Sequence, residues 1–323
     1  MKNRMHLFCS LTLASTLLFL VSASVAQSLH FTPIDVPCST CPGGVARQTI
    51  AQGINPRGDI VGTYKDAANQ QHGFLLSKGQ FTTIDFPGAV ATIARGISPS
   101  GHIVGSYTAP AGSSLECQVV TSPSCNHGFL YSLDNFSTLQ FGNHPGAFGQ
   151  RITPDGSIYG CYHDMDMMGS MFGAVWTAFG DISLAAGGGQ LTDPDRSIPA
   201  SMNNGATPDG HTIVGHFTDL TTNLTHGFMV QNGDLQVYDV PSSILTQIWD
   251  INPGRVFVGT YVASNGKRHG FLQLSDGSAP LNVDYPTATA SIAFGINPGG
   301  AIVGQYTDTS GKIHGFLAIP PEE

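Results

Sequence analysis

The chain has 323 residues with 13 Lys+Arg against 22 Asp+Glu, a formal net charge of −9. Charged residues are 11% of it and glycines number 40, against roughly 25% and ~7% in ordinary soluble proteins, which excludes an architecture of long helices with Glu/Lys surfaces. The acidic balance and the lack of any basic run exclude a nucleic-acid-binding face.

In chain order, the first element is an export signal. "MKNR" is basic, "LFCSLTLASTLLFLVSA" is apolar, and "SVAQ" offers small residues for cleavage after Ala26. The expected mature chain, 27–323, carries no second apolar run, so it is expected to be secreted (extracellular or periplasmic), without membrane contact after cleavage. A short strand, "LHFTPIDVP" from Leu29, comes next. Cys38 and Cys41 then follow in "CSTC", and Cys117 and Cys125 lie in "CQVVTSPSC". In an exported chain such local pairs read as disulfide staples of loops. Neither pair has the further ligands that zinc needs. Cys161 is left over as a buried thiol, and no metal or cofactor is expected.

From Gln48 onward one unit recurs six times. Its landmark glycines are Gly62, Gly105, Gly160, Gly215, Gly259 and Gly304. Before each stands a turn: "NPRG", "SPSG", "TPDG", "TPDG", "NPGR", "NPGG". Asn, Ser or Thr opens the turn, Pro presets φ, and a late Gly tolerates positive φ. A short strand such as "QTIAQGI" precedes the turn and one such as "DIVGTY" follows it. "HGFLLS" and "FTTIDFP" supply a third and a fourth strand. Four strands per period of forty to fifty residues predict a β-propeller blade. The sixth copy stops after its third strand, and "LHFTPIDVP" matches the missing fourth, "GQFTTIDFP". The expectation is therefore one all-β domain over 27–323, a six-bladed β-propeller closed by the N-terminal strand completing the last blade, which leaves no long open edge.

At "GINPRGDIVGTY…QHGFLLSKGQFTTIDFPGA" the chain resembles the HAF-repeat family, bacterial proteins taken to be extracellular. The resemblance covers nearly all of the mature chain, although the motif here reads His-Gly-Phe where the family's name implies His-Ala-Phe. It implies export and a repeated β architecture, and brings no catalytic residues with it.

The recurring His72, His127, His226, His269 and His314 stand one copy apart, too far to share a metal ion. They are expected to hydrogen-bond within their own blades, with Asp35, Asp85, Asp239 and Asp284 as partners. Arg57-Gly58-Asp59 spells an adhesion tripeptide but is read as a turn of the repeat. Cys161, His163, Asp164, Asp166 and the methionines of "CYHDMDMMGSM" are read as a variable loop rather than a copper site, and Asp193 and Asp195 as a polar loop rather than a calcium site.

A site in a repeated ring must break the repeat, so the informative positions are those where copies disagree. Just before the first-strand glycine stand Gln52, Arg95, Gln150, Asn204, Trp249 and Phe294. In the glycine column itself two copies carry Arg151 and Asp250. Arg95, Arg151, Asn204, Trp249 and Asp250 are the expected ligand-binding residues, facing the central channel near its mouth. Arginine would serve a carboxylate and the flat indole a sugar face. Adjacent columns of a regular strand point to opposite sides, so these five converge only if a bulge intervenes. Catalytic motifs are absent. The expected function is a monomeric, non-enzymatic binding protein for extracellular polysaccharide or a small carboxylated ligand. The alternative is a carbohydrate-active lyase or hydrolase in the same channel, which would need a general acid and base, for a glycosidase a pair of carboxylates.

Overall fold

The computed structural model describes residues 29–110, 124–141, 146–163, 171–178, 180–184, 190–191 and 201–321. The expected export signal lies outside the described residues. So do Cys117, the Cys125 side chain, and the segments carrying Asp164, Asp166, Asp193 and Asp195.

Apart from a 3-10 turn at Pro42–Gly44, the regular elements among the described residues are all strands, joined by turns and short loops. Strand β1 spans His30–Ile34. The first copy holds β2 (Gln48–Ile54), β3 (Ile60–Lys65), β4 (Gln71–Ser77) and β5 (Gln80–Ile84). The second holds β6 (Ala91–Ile97), β7 (Ile103–Pro110), β8 (Ser124–Ser132) and β9 (Asn135–Leu139). The third runs β10 (Gly146–Ile152), β11 (Ile158–His163), β12 (Met171–Thr177) and β13 (Gly180–Leu184), with the short β14 (Gln190–Leu191) beyond. The fourth runs β15 (Ser201–Ala206), β16 (Thr212–Thr218), β17 (Thr225–Gln231) and β18 (Asp234–Tyr238). The fifth has β19 (Ser243–Ile251), β20 (Phe257–Ala263), β21 (Arg268–Gln273) and a two-residue β22 (Leu281–Asn282). The last has β23 (Ala290–Ile296), β24 (Ile302–Thr307) and β25 (Ile313–Ile319).

Within each copy the strands pair antiparallel in sequence order, as the alternation of turns and β-branched runs predicts. Strand β1 pairs antiparallel with β25, His30 opposite Ile319 and Ile34 opposite Gly315. The first-to-last pairing expected from the sequence is thus present.

The repeated residues have distinct packing roles. A Cβ on Gly62 would lie 2.0 Å from the Ile50 carbonyl oxygen and 2.7 Å from the Phe74 ring, so only glycine lets β3 press that closely on its neighbours. The Phe of each His-Gly-Phe fills the space so made: Phe74, Phe129, Phe228, Phe271 and Phe316 are all fully buried. The third copy has Ala174 opposite Gly160 instead. There Phe141 stacks on Tyr162 with ring centroids 4.3 Å apart, and Trp176 packs edge-on to Phe141. Burying such a ring contributes about 2–3 kcal/mol.

Successive copies are stitched by one recurring hydrogen bond. The backbone N–H just past a fourth strand donates to a buried hydroxyl early in the next first strand: Phe86 to Thr92 at 3.0 Å, Val240 to Thr246 at 3.1 Å, and Tyr285 to Ser291 at 3.0 Å. Val36, just beyond β1, donates in the same way to Thr49 at 3.2 Å. The core lies between neighbouring sheets, and one cluster unites Ile34 and Val36 with Ile54, Phe74 and, from the last copy, Val303. Cys38 and Cys41 form a disulfide, while Cys161 is a free, buried thiol.

Candidate functional site

Every first strand is interrupted at the same place. The register slips between Ala51 and Gly53, Ala94 and Gly96, Gly149 and Arg151, Asn203 and Gly205, Ile248 and Asp250, and Ala293 and Gly295. The bulged residues are therefore Gln52, Arg95, Gln150, Asn204, Trp249 and Phe294, the column singled out in the sequence. A bulge re-aims neighbouring positions, so two adjacent columns need not face opposite sides.

The glycine column exists because first strands crowd one another. A Cβ on Gly96 would stand 2.6 Å from the Gln150 carbonyl oxygen. Where Arg151 breaks the column, its side chain crosses to the neighbouring first strands. Its Nη1 donates to the carbonyls of Arg95 (2.9 Å) and Gln150 (2.7 Å), and its Nη2 to those of Gln52 (3.0 Å) and Phe294. Its Nε lies 3.1 Å from the Asp250 carboxylate. Asp250 also accepts from the backbone N–H of Ile251 (3.0 Å) and Ile296 (3.1 Å). Burial pushes the Asp250 carboxyl above the usual carboxylate range, with the Arg151 charge and the two backbone donors pulling against it. Arg151 and Asp250 are thus committed to each other and to backbone carried by most of the copies.

On the turn side of this ion pair is a small cavity of about 90 Å³. Its wall takes Pro56, Pro99, Pro154, Pro208, Pro253 and Pro298, one proline from each repeat turn, and Asp250 is the single carboxylate among its lining residues.

The other three expected residues lie one position further from the turns. Arg95 is half-buried, and its Nη1 makes a long 3.5 Å bond to the Gln52 side-chain oxygen. Desolvation lowers its pKa to about 10. Asn204 is fully buried, its amide nitrogen donating to the Ile248 carbonyl (2.6 Å) and lying 2.8 Å from Nδ1 of His216. Because a carbonyl can only accept, this bond fixes the amide orientation, makes His216 Nδ1 an acceptor, and leaves the His216 proton on Nε2. Burial lowers the His216 pKa to about 4, so the ring is neutral. Trp249 is half-buried between His216 and Phe294, with ring centroids 5.3 and 5.1 Å away. Arg151 and Asp250 therefore meet directly and face the turn-side cavity, whereas Arg95, Asn204 and Trp249 belong to the layer behind them. Nothing in the sequence flagged His216 except its place beside the landmark Gly215, where other copies have Thr63 and Thr260.

The remaining motifs resolve as building elements. His72, His226, His269 and His314 hold Asp85, Asp239, Asp284 and Asp35 at 2.6–2.9 Å through Nδ1. Most of these rings also stack on an aromatic of the second strand, as His72 does on Tyr64 at 5.0 Å. Arg57 and Asp59 bind each other at 2.9 Å, Asp59 is buried, and Arg57 also reaches the Pro99 carbonyl. The tripeptide is thereby turned in on its own turn. Among the described residues no group of three or more His, Cys, Asp or Glu could hold a metal ion.

One feature went unanticipated. An apolar cleft of about 660 Å³ opens between the fifth and last copies, lined by Leu29, Phe31, Val256, Leu272, Leu281 and Pro298 among others, with Asn252 and Asn282 as amides. It borders β22, which is two residues long where β5 and β18 have five. The inserted "SDGSAP" before Leu281 was the available signal.

No protein family and no curated protein sequence matches the chain. Among solved structures it is similar to a chain assigned as TolB from Agrobacterium tumefaciens, at 14% identity over 86% of this chain and 92% of that one, with a TM-score of 0.50. It is also similar to a mutant of Trypanosoma rangeli sialidase displaying trans-sialidase activity, at 8% identity over 91% of this chain and 59% of that one, TM-score 0.50. A third likeness is to the β-propeller domain of the Trilobed protease from Pyrococcus furiosus, at 10% identity over 84% and 95%, TM-score 0.48. The fold is of the β-propeller type. At these identities the likeness is one of fold alone. The chain spans 64% of the TolB chain of Acinetobacter baumannii and 59% of the sialidase chain. No helix among the described residues is long and apolar enough to cross a membrane.

Proposed function

We propose that this chain is a secreted or periplasmic, six-bladed propeller of the HAF-repeat kind, closed by β1, which binds a carbohydrate or carboxylated ligand in its central channel without catalysing a reaction. Closure is supported by the pairing of β1 with β25 and by the Val36–Thr49 bond, which ties the same segment to the first copy. The Cys38–Cys41 disulfide suits an oxidising compartment.

The observation that carries the binding reading is the commitment of Asp250. Glycoside hydrolysis in the channel canonically needs two carboxyls, one of them free to exchange a proton with the substrate. Asp250 is engaged by Arg151 and two backbone donors. The half-buried members of the bulge column are the Arg95 cation and the rings of Trp249 and Phe294, a set that suits recognition and orientation of a ligand. The test is a panel of neutral and acidic polysaccharides offered to the mature chain, scored for retention and for release of reducing or unsaturated ends. The reading expects saturable retention of at least one with no product. Cleavage, or retention of none, would overturn it.

A further inference from the structure

The two channel arginines are not equivalent, and the difference identifies a ligand group. Arg151 has its carboxylate and four carbonyls. Arg95, one layer behind, has no carboxylate against it among the described residues, where the one hydrogen bond of its side chain is the 3.5 Å contact to Gln52. Its Nε is enclosed without a hydrogen-bond acceptor among the described residues, as are the indole N–H of Trp249 and the Nε of Arg151, but the Arg151 Nε has the Asp250 carboxylate at 3.1 Å and the Arg95 Nε has none. Enclosed donors of this kind are rare in folded proteins, and each calls for an explanation. A desolvated cation calls for one most strongly.

Side chains of this column touch their neighbours around the axis, Arg95 meeting Gln52 and Trp249 meeting Phe294. Arg151 and Asp250 lie on the turn side of this column, where both line the small proline-walled cavity. We infer that Arg95 is the anchor for a carboxylate group of a ligand that enters the channel from the face opposite the turns. Such a planar monoanion matches both the geometry and the single unmatched charge of a guanidinium. A phosphate dianion would bring a second charge, and the second arginine is already neutralised. Trp249 and Phe294, in the same column, offer apolar faces to the ring that bears the carboxylate, so a hexuronate fits this lining better than a simple aliphatic acid. The chain as a whole carries −9. Its long-range field does not gather anions, and capture is local to Arg95.

This inference rests on the channel-binding reading above and is tested separately from it. The mature chain is titrated with D-glucuronate and, in parallel, with D-glucose in low-chloride buffer, by calorimetry and by thermal shift. The comparison variant is Arg95→Gln, chosen because Gln52 and Gln150 show that the bulge column accepts glutamine. The expected result is that glucuronate binds the wild-type chain at least tenfold more tightly than glucose and raises its Tm. In Arg95→Gln that preference is lost, and without ligand the variant melts at or above the wild-type temperature, because an unpaired cation has been removed. Equal stabilisation of both chains by glucuronate, or equal affinity for glucose and glucuronate, would overturn the assignment. Retention of a neutral polysaccharide without glucuronate binding would sink this inference while leaving the binding reading intact.

Discussion

Replacing Arg151 by glycine restores the residue that four other copies carry in the same column, and it should nevertheless damage the protein. Arg151 donates to the carbonyls of Gln52, Arg95, Gln150 and Phe294 and is ion-paired with Asp250 at 3.1 Å. Its removal leaves Asp250 buried and unpaired, which costs about 3–5 kcal/mol. For a chain of this size such a loss lowers Tm by roughly 5–8 °C. Asp250→Gly alone leaves the guanidinium without its counter-charge and the Ile296 N–H without its acceptor, so it should cost a similar amount. The double variant removes both charges together, and the freed carbonyls can be met by water in the space vacated. It should be no less stable than either single variant, with a coupling of at least ~2 kcal/mol. Urea denaturation of the four chains measures the cycle. Strict additivity would refute the pair as a coupled structural unit.

Deleting Leu29–Pro37 should expose the edge of β25, and the truncated chain should aggregate or unfold without cooperativity; a monomeric, cooperatively melting product would contradict closure by β1. His216 has a folded pKa of about 4 against 6.5 for the free group. Between those pH values the unfolded chain binds more protons, so the His216 contribution is complete above about 6.5 and is lost as pH falls toward 4, by roughly 3 kcal/mol in all. His216→Thr, the residue at this place in two other copies, should flatten the stability profile across that window relative to wild type. Parallel profiles would show that His216 is not buried as a neutral ring.

The repeat, its four strands and the partner of β1 were legible because each rests on local chemistry: turn residues, period-two runs, and a fourth strand present at one end and missing at the other. The histidine–aspartate pairs were legible for the same reason, since both partners recur at fixed places in the unit. The role of Arg151 was not. From sequence it looked like a ligand-binding arginine beside Asp250. Only the structure shows the carbonyls of Gln52, Arg95, Gln150 and Phe294 converging on one guanidinium that is also paired with Asp250. Nor could the sequence separate Arg95 from Arg151, because what distinguishes them is a counter-charge lying 99 residues away from Arg151 in a different copy. The cleft beside β22 was missed because an insertion signals a longer loop without saying what the shortened strand uncovers.

The central claim is that ligand binds in the channel, and Trp249 reports on it directly. The chain has two tryptophans, and Trp176 is buried with its indole N–H bonded to the Gln140 carbonyl at 2.6 Å, away from the first-strand columns. Emission is followed while the mature chain is titrated with whichever saccharide the panel retains, alongside Trp249→Phe. The account predicts a saturable change in emission that tracks calorimetric binding and disappears in Trp249→Phe. Binding by calorimetry with unchanged Trp249 emission would contradict it, since the ligand would then sit elsewhere on the propeller.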